Sequence, residues 1–267
     1  MTISNVRYTL STAAILAVVA AAFFSYAVPR TQALTTIESG DLIRGESFTA
    51  VYYMGEDGFR YVFPNDKAYF TWYTDFSDVK FITDVELAKI QIGGNVTYKP
   101  GVKMIKINTD PKTYAVDAGG TLRHVTTEAI AVSLYGANWN TKIDDIADGF
   151  FSNYNIGSAI SSPTDFVPAT VTSSVLGIND DKGLIAPEYV SISDSGYAPL
   201  NVTVVEGQGV RFTNNSSAKH TATADDLSWG TGTLNQGESF IRGFDQKGTY
   251  TFFDSYNSAN TGAVFVE

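Results

Sequence analysis

The chain has 267 residues, 44% of them hydrophobic, 13% aromatic and none of them cysteine, so it can fold around a core but has no disulfide and no thiolate chemistry. Its formal net charge is −10, and because residues 1–33 hold two arginines and no acid, the remainder carries −12. A surface this acidic repels nucleic acid and anionic lipid, so neither is an expected partner.

Residues 1–33 predict export. Arg7 precedes an apolar run over residues 10–28, and Thr31, Gln32 and Ala33 follow with small residues at the positions that a signal peptidase reads. The run is longer than the usual hydrophobic region of a signal peptide, about 7–15 residues, and approaches the roughly 20 residues of a membrane span. Two interpretations stay open, a cleaved signal peptide and an uncleaved anchor formed by residues 10–28. In both, the positive-inside rule places the later residues outside the cytoplasm, as a secreted, periplasmic or cell-surface protein.

Residues 37–156 are predicted to form a β-rich module with two degenerate repeats and short helices. The segments 61–63 and 69–72 are echoed by the segments 114–116 and 122–125, and alternating apolar residues predict strands at 59–63, at 103–107 and around Tyr114. The second copy is expected to insert a short helix over residues 128–135, ended by Gly136. The module resembles repeats of uncharacterised exported bacterial proteins, and such arrays usually serve as scaffolds or binding surfaces.

Residues 52–81 are dense in aromatic side chains, which permits two interpretations. Aromatic residues are favoured in β cores, and this first interpretation needs no ligand. Exposed rings beside acids would instead suit stacking against sugars, with Trp72 and Tyr73 as the candidate glycan contacts and a cell-wall polymer as the partner. Residues 157–182, poor in large apolar residues and rich in Ser, Thr and Pro, are predicted to be a flexible linker.

Residues 183–267 predict a β-sandwich. Short alternating segments at 189–192, 200–204, 210–212, 239–241, 250–253 and 264–266 are separated by turn signals rich in Gly and Asn. The fold class expected for the whole chain is therefore mainly β.

The order of landmarks in this region resembles the cupredoxin family, plastocyanin-like domains in particular. The landmarks are Gly196 to Pro199, Val202 to Val204, Gly207, Val210 to Asn215, His220, Gly232 to Leu234, Gly237 to Phe240, Phe244, Gly248 to Tyr250 and Gly262. The resemblance implies a Greek-key sandwich over residues 188–267. It also implies a type 1 copper site, in which two His, one Cys and usually an axial Met bind the metal.

This chain departs from the family at the copper ligands. His220 stands at the position of the first His, but counting back from Gly262 the other three positions hold Asp254, Asn257 and Asn260. Without a thiolate, blue-copper electron transfer is excluded. Two interpretations remain for this corner: weak binding of copper or zinc by His220, Asp254 and Asn257, or a hydrogen-bonded His220 beside a polar turn.

No catalytic site is predicted. The chain has only two His, His124 and His220, in different modules, and contains no phosphate-binding glycine loop. The acidic pairs Asp144–Asp145, Asp180–Asp181 and Asp225–Asp226 are expected to be loop residues in water. The sequence therefore predicts a non-enzymatic exported protein without a tightly bound cofactor, whose partner is a surface protein or a cell-wall polymer. Extracytoplasmic metal binding and glycan binding are the two alternatives.

Overall fold

The computed structural model describes residues 36–267. The predicted signal peptide or anchor, residues 1–33, lies outside the described residues. Within the described range, no helix is long and apolar enough to cross a membrane. The fold is mainly β, as the sequence predicted, with four sheets connected by short helices.

The first sheet is a three-stranded antiparallel meander with one parallel strand added at each edge. Its strand order is β4-β1-β2-β3-β5, and β4 and β5 run parallel to β1 and β3. Its elements are β1 (Leu42–Gly45), β2 (Tyr52–Met54), β3 (Arg60–Val62), α1 (Asp66–Trp72), β4 (Val79–Ile82), α2 (Asp84–Lys89) and β5 (Ile92–Asn95).

The second sheet has the same topology, in the order β10-β8-β7-β6-β9. Its elements are β6 (Met104–Ile107), β7 (Asp110–Asp117), β8 (Thr121–His124), α3 (Glu128–Tyr135), β9 (Ile143–Asp145), α4 (Asp148–Phe151) and β10 (Asn155–Ile156). In both sheets a helix follows the third strand, begun by a side-chain cap from Asn65 or from Thr127. The two halves of this module are therefore built to one plan.

The alignment of the two halves differs from the one expected from sequence. Tyr61 lies on the third strand of its sheet, whereas Tyr114 lies on the second strand of the other. The helix over residues 128–135 forms as predicted and ends at Gly136, whose φ of 81° suits glycine. It is not an insertion, because α1 occupies the same place in the first half. Tyr61 and Tyr114 are the same residue type, but they occupy different strands in the common plan of the two sheets.

Helix α1 joins the cores of the two halves. Tyr69 packs in the core of the first sheet, while Ala68, the residue before it, is buried in the core of the second. The opposite face of the second sheet is covered by α3 together with Ile160 and Phe166. The second sheet is therefore buried on both faces.

The segment predicted as a flexible linker is ordered and packed against the module. It contains α5 (Pro168–Ser174) and α6 (Ile178–Lys182), and three of its large apolar residues are almost fully buried: Ile160 is 0% exposed, Phe166 3% and Ile178 2%. Burial of one such side chain stabilises a fold by about 1.5–3 kcal/mol. The Ser, Thr and Pro content predicted a flexible linker, but burial of these three side chains helps to hold the segment against the module.

The last module is a sandwich of two four-stranded sheets, ordered β12-β11-β14-β16 and β13-β18-β17-β15. Each predicted strand is present, and β12 and β15 were not predicted. The strands are β11 (Glu188–Ser193), β12 (Gly196–Ala198), β13 (Asn201–Val204), β14 (Gly209–Asn214), β15 (Thr223–Ala224), β16 (Ser239–Gly243), β17 (Gly248–Asp254) and β18 (Asn257–Val266).

One side chain connects the first sheet to the free edge of the sandwich. Strand β16 is an edge strand, and Gln91, just before β5, pairs with it as another strand would. The amide oxygen of Gln91 accepts from the backbone N–H of Ile241 at 2.7 Å, and the amide nitrogen donates to the carbonyl of the same residue at 3.0 Å. The two modules therefore share hydrogen bonds.

Candidate functional site

Loops at one end of the sandwich bring together His220, Asp254, Asp194 and Ser216. Asp254 is the last residue of β17, where the pairing with β18 is irregular, and Asp194 lies in the turn between β11 and β12. His220 is held by a two-way backbone pairing with Leu234. The corner corresponds to the place where the sequence resemblance puts a copper site.

The buried amide of Asn214 fixes the loop that carries Ser216 and His220. Its nitrogen donates to the carbonyls of Ala218 at 2.7 Å and Leu234 at 2.8 Å, and its oxygen accepts from the backbone N–H of Ser216 at 2.9 Å. Because Asn214 is 0% exposed, these bonds are shielded from water. These hydrogen bonds tie the loop to Leu234 and to the end of β14.

The carboxylate of Asp254 is 0% exposed and joins three groups. One oxygen lies 2.7 Å from Nδ1 of His220, and the other accepts from the backbone N–H groups of Thr221 at 3.0 Å and Tyr256 at 3.1 Å. An ionised carboxylate only accepts hydrogen bonds, so the tautomer of His220 that suits this contact has its hydrogen on Nδ1. The Asp254 side chain thus connects the loops by hydrogen bonds.

The other ring nitrogen of His220 faces Asp194. Nε2 is buried and has no hydrogen-bond partner within the part of the chain that the structure describes. The nearest oxygen of Asp194 lies 3.5 Å away, and the Asp194 side chain is 78% exposed. Ser216 donates to that same oxygen at 2.5 Å, and this hydrogen bond is the main cause that lowers the pKa of Asp194. Asp194 is therefore an ionised group at the mouth of the corner.

The structure brings together two of the three predicted metal ligands. Asn257 is exposed, and its side-chain oxygen accepts from the backbone N–H of Ala259 at 3.3 Å. Among residues 36–267, no group of three or more His, Cys, Asp or Glu is placed to hold a metal ion. The sequence reasoning missed Asp194 and Ser216, because an acid in a turn and a serine in a polar loop carry no distinguishing signal.

The two candidate glycan contacts are half-buried and pack against the core of the first sheet. The indole nitrogen of Trp72 donates to the carbonyl of Thr97 at 2.8 Å, and the ammonium group of Lys99 lies 5.5 Å from the centre of its ring. Burial raises the pKa of Tyr73, whose ring packs 5.2 Å from that of Tyr69. Both rings are therefore engaged by the protein itself.

A groove on the first module exposes a different aromatic residue. Phe76 is 48% exposed and stacks on Tyr69 with ring centres 4.4 Å apart. The groove encloses about 470 Å³, and hydroxyl and amide groups line it beside the rings. Its lining includes Thr49, Asn65, Tyr69, Phe76, Asn95 and Phe150.

Two of the acidic pairs have structural partners. Asp144 and Asp145 lie on strand β9 rather than in a loop, and they form ion pairs with Lys103 and Lys106 at 2.7 and 3.0 Å. Asp144 is buried, not in water as expected. Asp181, on α6, is buried rather than in water as expected, and it accepts from the backbone N–H of Gly119 at 2.9 Å. These acids hold strands and loops in place.

The residues around α6 form a second buried polar group. Burial raises the pKa of Asp181 and lowers that of Lys182, whose ammonium group lies 4.9 Å from the centre of the Tyr61 ring. Burial also raises the pKa of Asp57, which accepts a 2.5 Å hydrogen bond from the Tyr61 hydroxyl. The contacts fasten α6 to the hairpin turns of both sheets.

About 30% of the chain is similar to cupredoxin structures. A novel purple cupredoxin from Nitrosopumilus maritimus is 24% identical over 30% of this chain and 99% of that chain, with a TM-score of 0.29. The Cu-containing nitrite reductase from Thermus scotoductus SA-01 is 21% identical over 30% of this chain and 22% of that chain, again with a TM-score of 0.29. A Cu(I) structure of an amicyanin mutant is 21% identical over 30% of this chain and 82% of that chain, with the same TM-score of 0.29.

No protein-family model matches the chain, and no curated protein matches it. Similarity of the extent found for the solved structures assigns no activity, ligand or residue role to this chain. The description of the sandwich therefore rests on its own strand order and core.

Proposed function

We propose that the chain is a non-enzymatic exported protein, secreted or on the cell surface, in which a cupredoxin-like sandwich serves as a structural or binding module without type 1 copper. The observation that carries the proposal is the environment of Asp254. This carboxylate stands at the position where the resemblance expects the copper thiolate, and it accepts from His220, Thr221 and Tyr256 instead.

In a copper site the metal joins the loops that carry its ligands. In this chain the hydrogen bonds of Asp254 join those loops instead. A type 1 site needs a thiolate, and the chain has no cysteine. Removing a carboxylate from water is tolerated only when charged or hydrogen-bonding partners surround it, as they do here. The corner is therefore complete as a structural element without copper.

Export is supported by Arg7 and the apolar run over residues 10–28, and the acidic remainder suits a soluble extracytoplasmic surface. The test is to express the full chain in a bacterial host and treat intact cells with protease. The proposal expects degradation of residues after 33 on intact cells or in the periplasmic fraction. Protection until the cytoplasm is opened would refute export.

The absence of blue-copper chemistry is tested on the purified full chain with excess Cu²⁺. The proposal expects no intense visible charge-transfer band and no reversible one-electron couple by voltammetry. The variant Asp254→Cys is the matched comparison, because it restores a thiolate at the predicted position. An intense blue band in the unaltered protein would overturn the proposal.

Cell-wall glycan binding by the first module is a second candidate function, favoured by the groove at Phe76. Its half-exposed ring offers an apolar surface, while the Thr49 hydroxyl and the Asn95 amide are groups of the kind that bind sugar hydroxyls. This combination of an apolar surface with a few polar groups is what a sugar ring requires.

The experiment is sedimentation of the full chain with isolated cell-wall polysaccharide. Phe76→Ala is expected to abolish binding. Tyr189→Ala, which removes a ring that is 62% exposed on the sandwich, is the matched control and is expected to leave binding unchanged. No sedimentation of the unaltered chain, or equal loss in both variants, would refute this function.

A further inference from the structure

We propose that one divalent transition-metal cation, Zn²⁺ or Cu²⁺, binds between Nε2 of His220 and the carboxylate of Asp194. The site uses Nε2 of His220, the ring nitrogen that Asp254 does not contact. Its second ligand, Asp194, is not among the positions that the cupredoxin resemblance assigns to copper. It is independent of the proposed function, because the hydrogen-bonded corner at Asp254 stays intact when the cation is bound.

The first argument is the state of the His220 ring. Its Nδ1 lies 2.7 Å from the buried carboxylate of Asp254, and because an ionised carboxylate can only accept, the proposal assigns the ring hydrogen to Nδ1. In the neutral imidazole, this places the lone pair on Nε2, where a metal can take it. A histidine that binds a metal through one ring nitrogen usually donates the N–H of the other to a carboxylate, which fixes the orientation of the ring. Asp254 has this relation to His220.

The second argument is the isolation of Nε2. His220 is only 4% exposed, and within residues 36–267 no group forms a hydrogen bond with this nitrogen. A buried polar atom without a partner costs free energy, and nearly all such atoms in folded proteins find a partner. A missing ligand at Nε2 accounts for the unpaired atom.

The third argument is the distance to Asp194. At 3.5 Å, the oxygen of Asp194 is too far from Nε2 for a good hydrogen bond. Two ligands at about 2.1 Å from one tetrahedral metal ion lie about 3.4 Å apart, so the observed separation suits a shared cation. The hydrogen bond from Ser216 fixes the carboxylate in this position.

The ligand types decide the class of ion. Imidazole with carboxylate suits Zn²⁺ and Cu²⁺, whereas Ca²⁺ and Mg²⁺ prefer oxygen ligands alone. The Asp194 side chain is 78% exposed, so water completes the coordination. Without a thiolate, bound Cu²⁺ lacks the intense blue band.

The alternative occupant of Nε2 is a proton. An imidazolium would place its N–H toward Asp194 and form an ion pair, and no metal would then be needed. The two occupants are distinguished by a titration with metal ions, because a protonated Nε2 has no lone pair left to bind a metal.

The experiment uses the full chain, freed of metal with a chelator, and titrates ZnCl₂ and CuSO₄ by calorimetry and by thermal unfolding. One ion per chain is expected, with a rise in melting temperature. Asp194→Asn and His220→Ala are expected to lose this binding. Asn257→Ala is the matched control and is expected to keep it, because Asn257 belongs to the copper pattern but its side chain is exposed.

Asp194→Asn is the decisive variant, because its exposed side chain can be replaced without disturbing the core. If His220→Ala does not fold, electron paramagnetic resonance of Cu²⁺ bound to the His124→Ala variant gives the same information, because its one remaining imidazole is that of His220. Asp254→Asn is expected to weaken binding by about 10- to 100-fold, as loss of an outer partner does. Absence of binding, or binding that persists in Asp194→Asn, would overturn the proposal, as would loss in Asn257→Ala.

Discussion

Two buried carboxylates in this chain are held in different ways. Asp254, in the sandwich, is 0% exposed and accepts from an imidazole and two backbone N–H groups. Asp181, on α6, is 6% exposed and accepts from the backbone of Gly119 at 2.9 Å and the hydroxyl of Thr97 at 3.3 Å, and burial raises its pKa.

The difference lies in the donors that each carboxylate receives. Asp254 joins loops of one module and accepts from three donors, so removing it leaves several buried groups unpaired. Asp181 joins the connecting segment to a hairpin turn, and its charge is less well compensated. The first carboxylate is therefore expected to be indispensable to its module, and the second to be replaceable by a neutral amide.

The largest expected effect is that of Asp254→Ala. Nδ1 of His220 and two backbone N–H groups lose their acceptor, and each buried group left unpaired costs about 1–3 kcal/mol, so a loss of at least about 3 kcal/mol is expected. Urea unfolding of the full chain measures the change. Asp245→Ala is the control, since Asp245 is exposed, and an equal loss in both variants would contradict the special role of Asp254.

The next effect concerns the contact that joins the two modules. Gln91→Ala removes two hydrogen bonds to Ile241, each contributing about 0.5–1.5 kcal/mol, so a loss of about 1–3 kcal/mol is expected. In calorimetry, the melting temperatures of the sandwich and the first module are expected to lie further apart in Gln91→Ala than in the unaltered chain. Gln236→Ala, on a neighbouring loop of the sandwich, is the control, and an unchanged Gln91→Ala profile would argue against coupling through this side chain.

The third test replaces Asp181 by its neutral isostere. The folded-state pKa of Asp181 is raised above its unfolded value, so its contribution to stability is full below about pH 3.9 and is lost as the pH rises through the folded pKa. The stability of Asp181→Asn relative to the unaltered chain is therefore expected to increase with pH.

Urea unfolding at a series of pH values from about 3.5 to about 7.5, which spans the range above the reference pKa of aspartate, gives this comparison for each protein. Asp225→Asn is the control, because Asp225 is an exposed aspartate in the sandwich, away from α6. A difference between Asp181→Asn and the unaltered chain that falls with increasing pH would contradict the assignment.

The smallest effect expected is that of Thr83→Ala, a helix cap of the first sheet. Thr83 and Glu86 each bond the backbone N–H of the other at the start of α2, and such a cap contributes about 1 kcal/mol. Thermal unfolding is sufficient to measure the loss. A loss above that of Asp254→Ala would contradict the ranking of the two sites.

The sandwich was predictable because its strands alternate regularly between apolar and polar residues. Counting back from Gly262 also pointed to Asp254, which the structure places 2.7 Å from Nδ1 of His220. The first module was less predictable, because Tyr61 and Tyr114 are alike in type but lie on different strands of their sheets. Asp194 could not be found, because only the fold brings the turn after β11 to His220.

We expect the contact between Gln91 and β16 also to hinder self-association of the molecule. An open edge strand offers unpaired backbone groups to any other extended chain, and natural proteins cover such edges. In the full chain the Gln91 amide forms hydrogen bonds with the backbone N–H and C=O of Ile241, the middle residue of that edge strand. A fragment that begins at residue 183 would lack this cover, and we expect it to assemble edge to edge into dimers or fibrils while the intact chain stays dispersed.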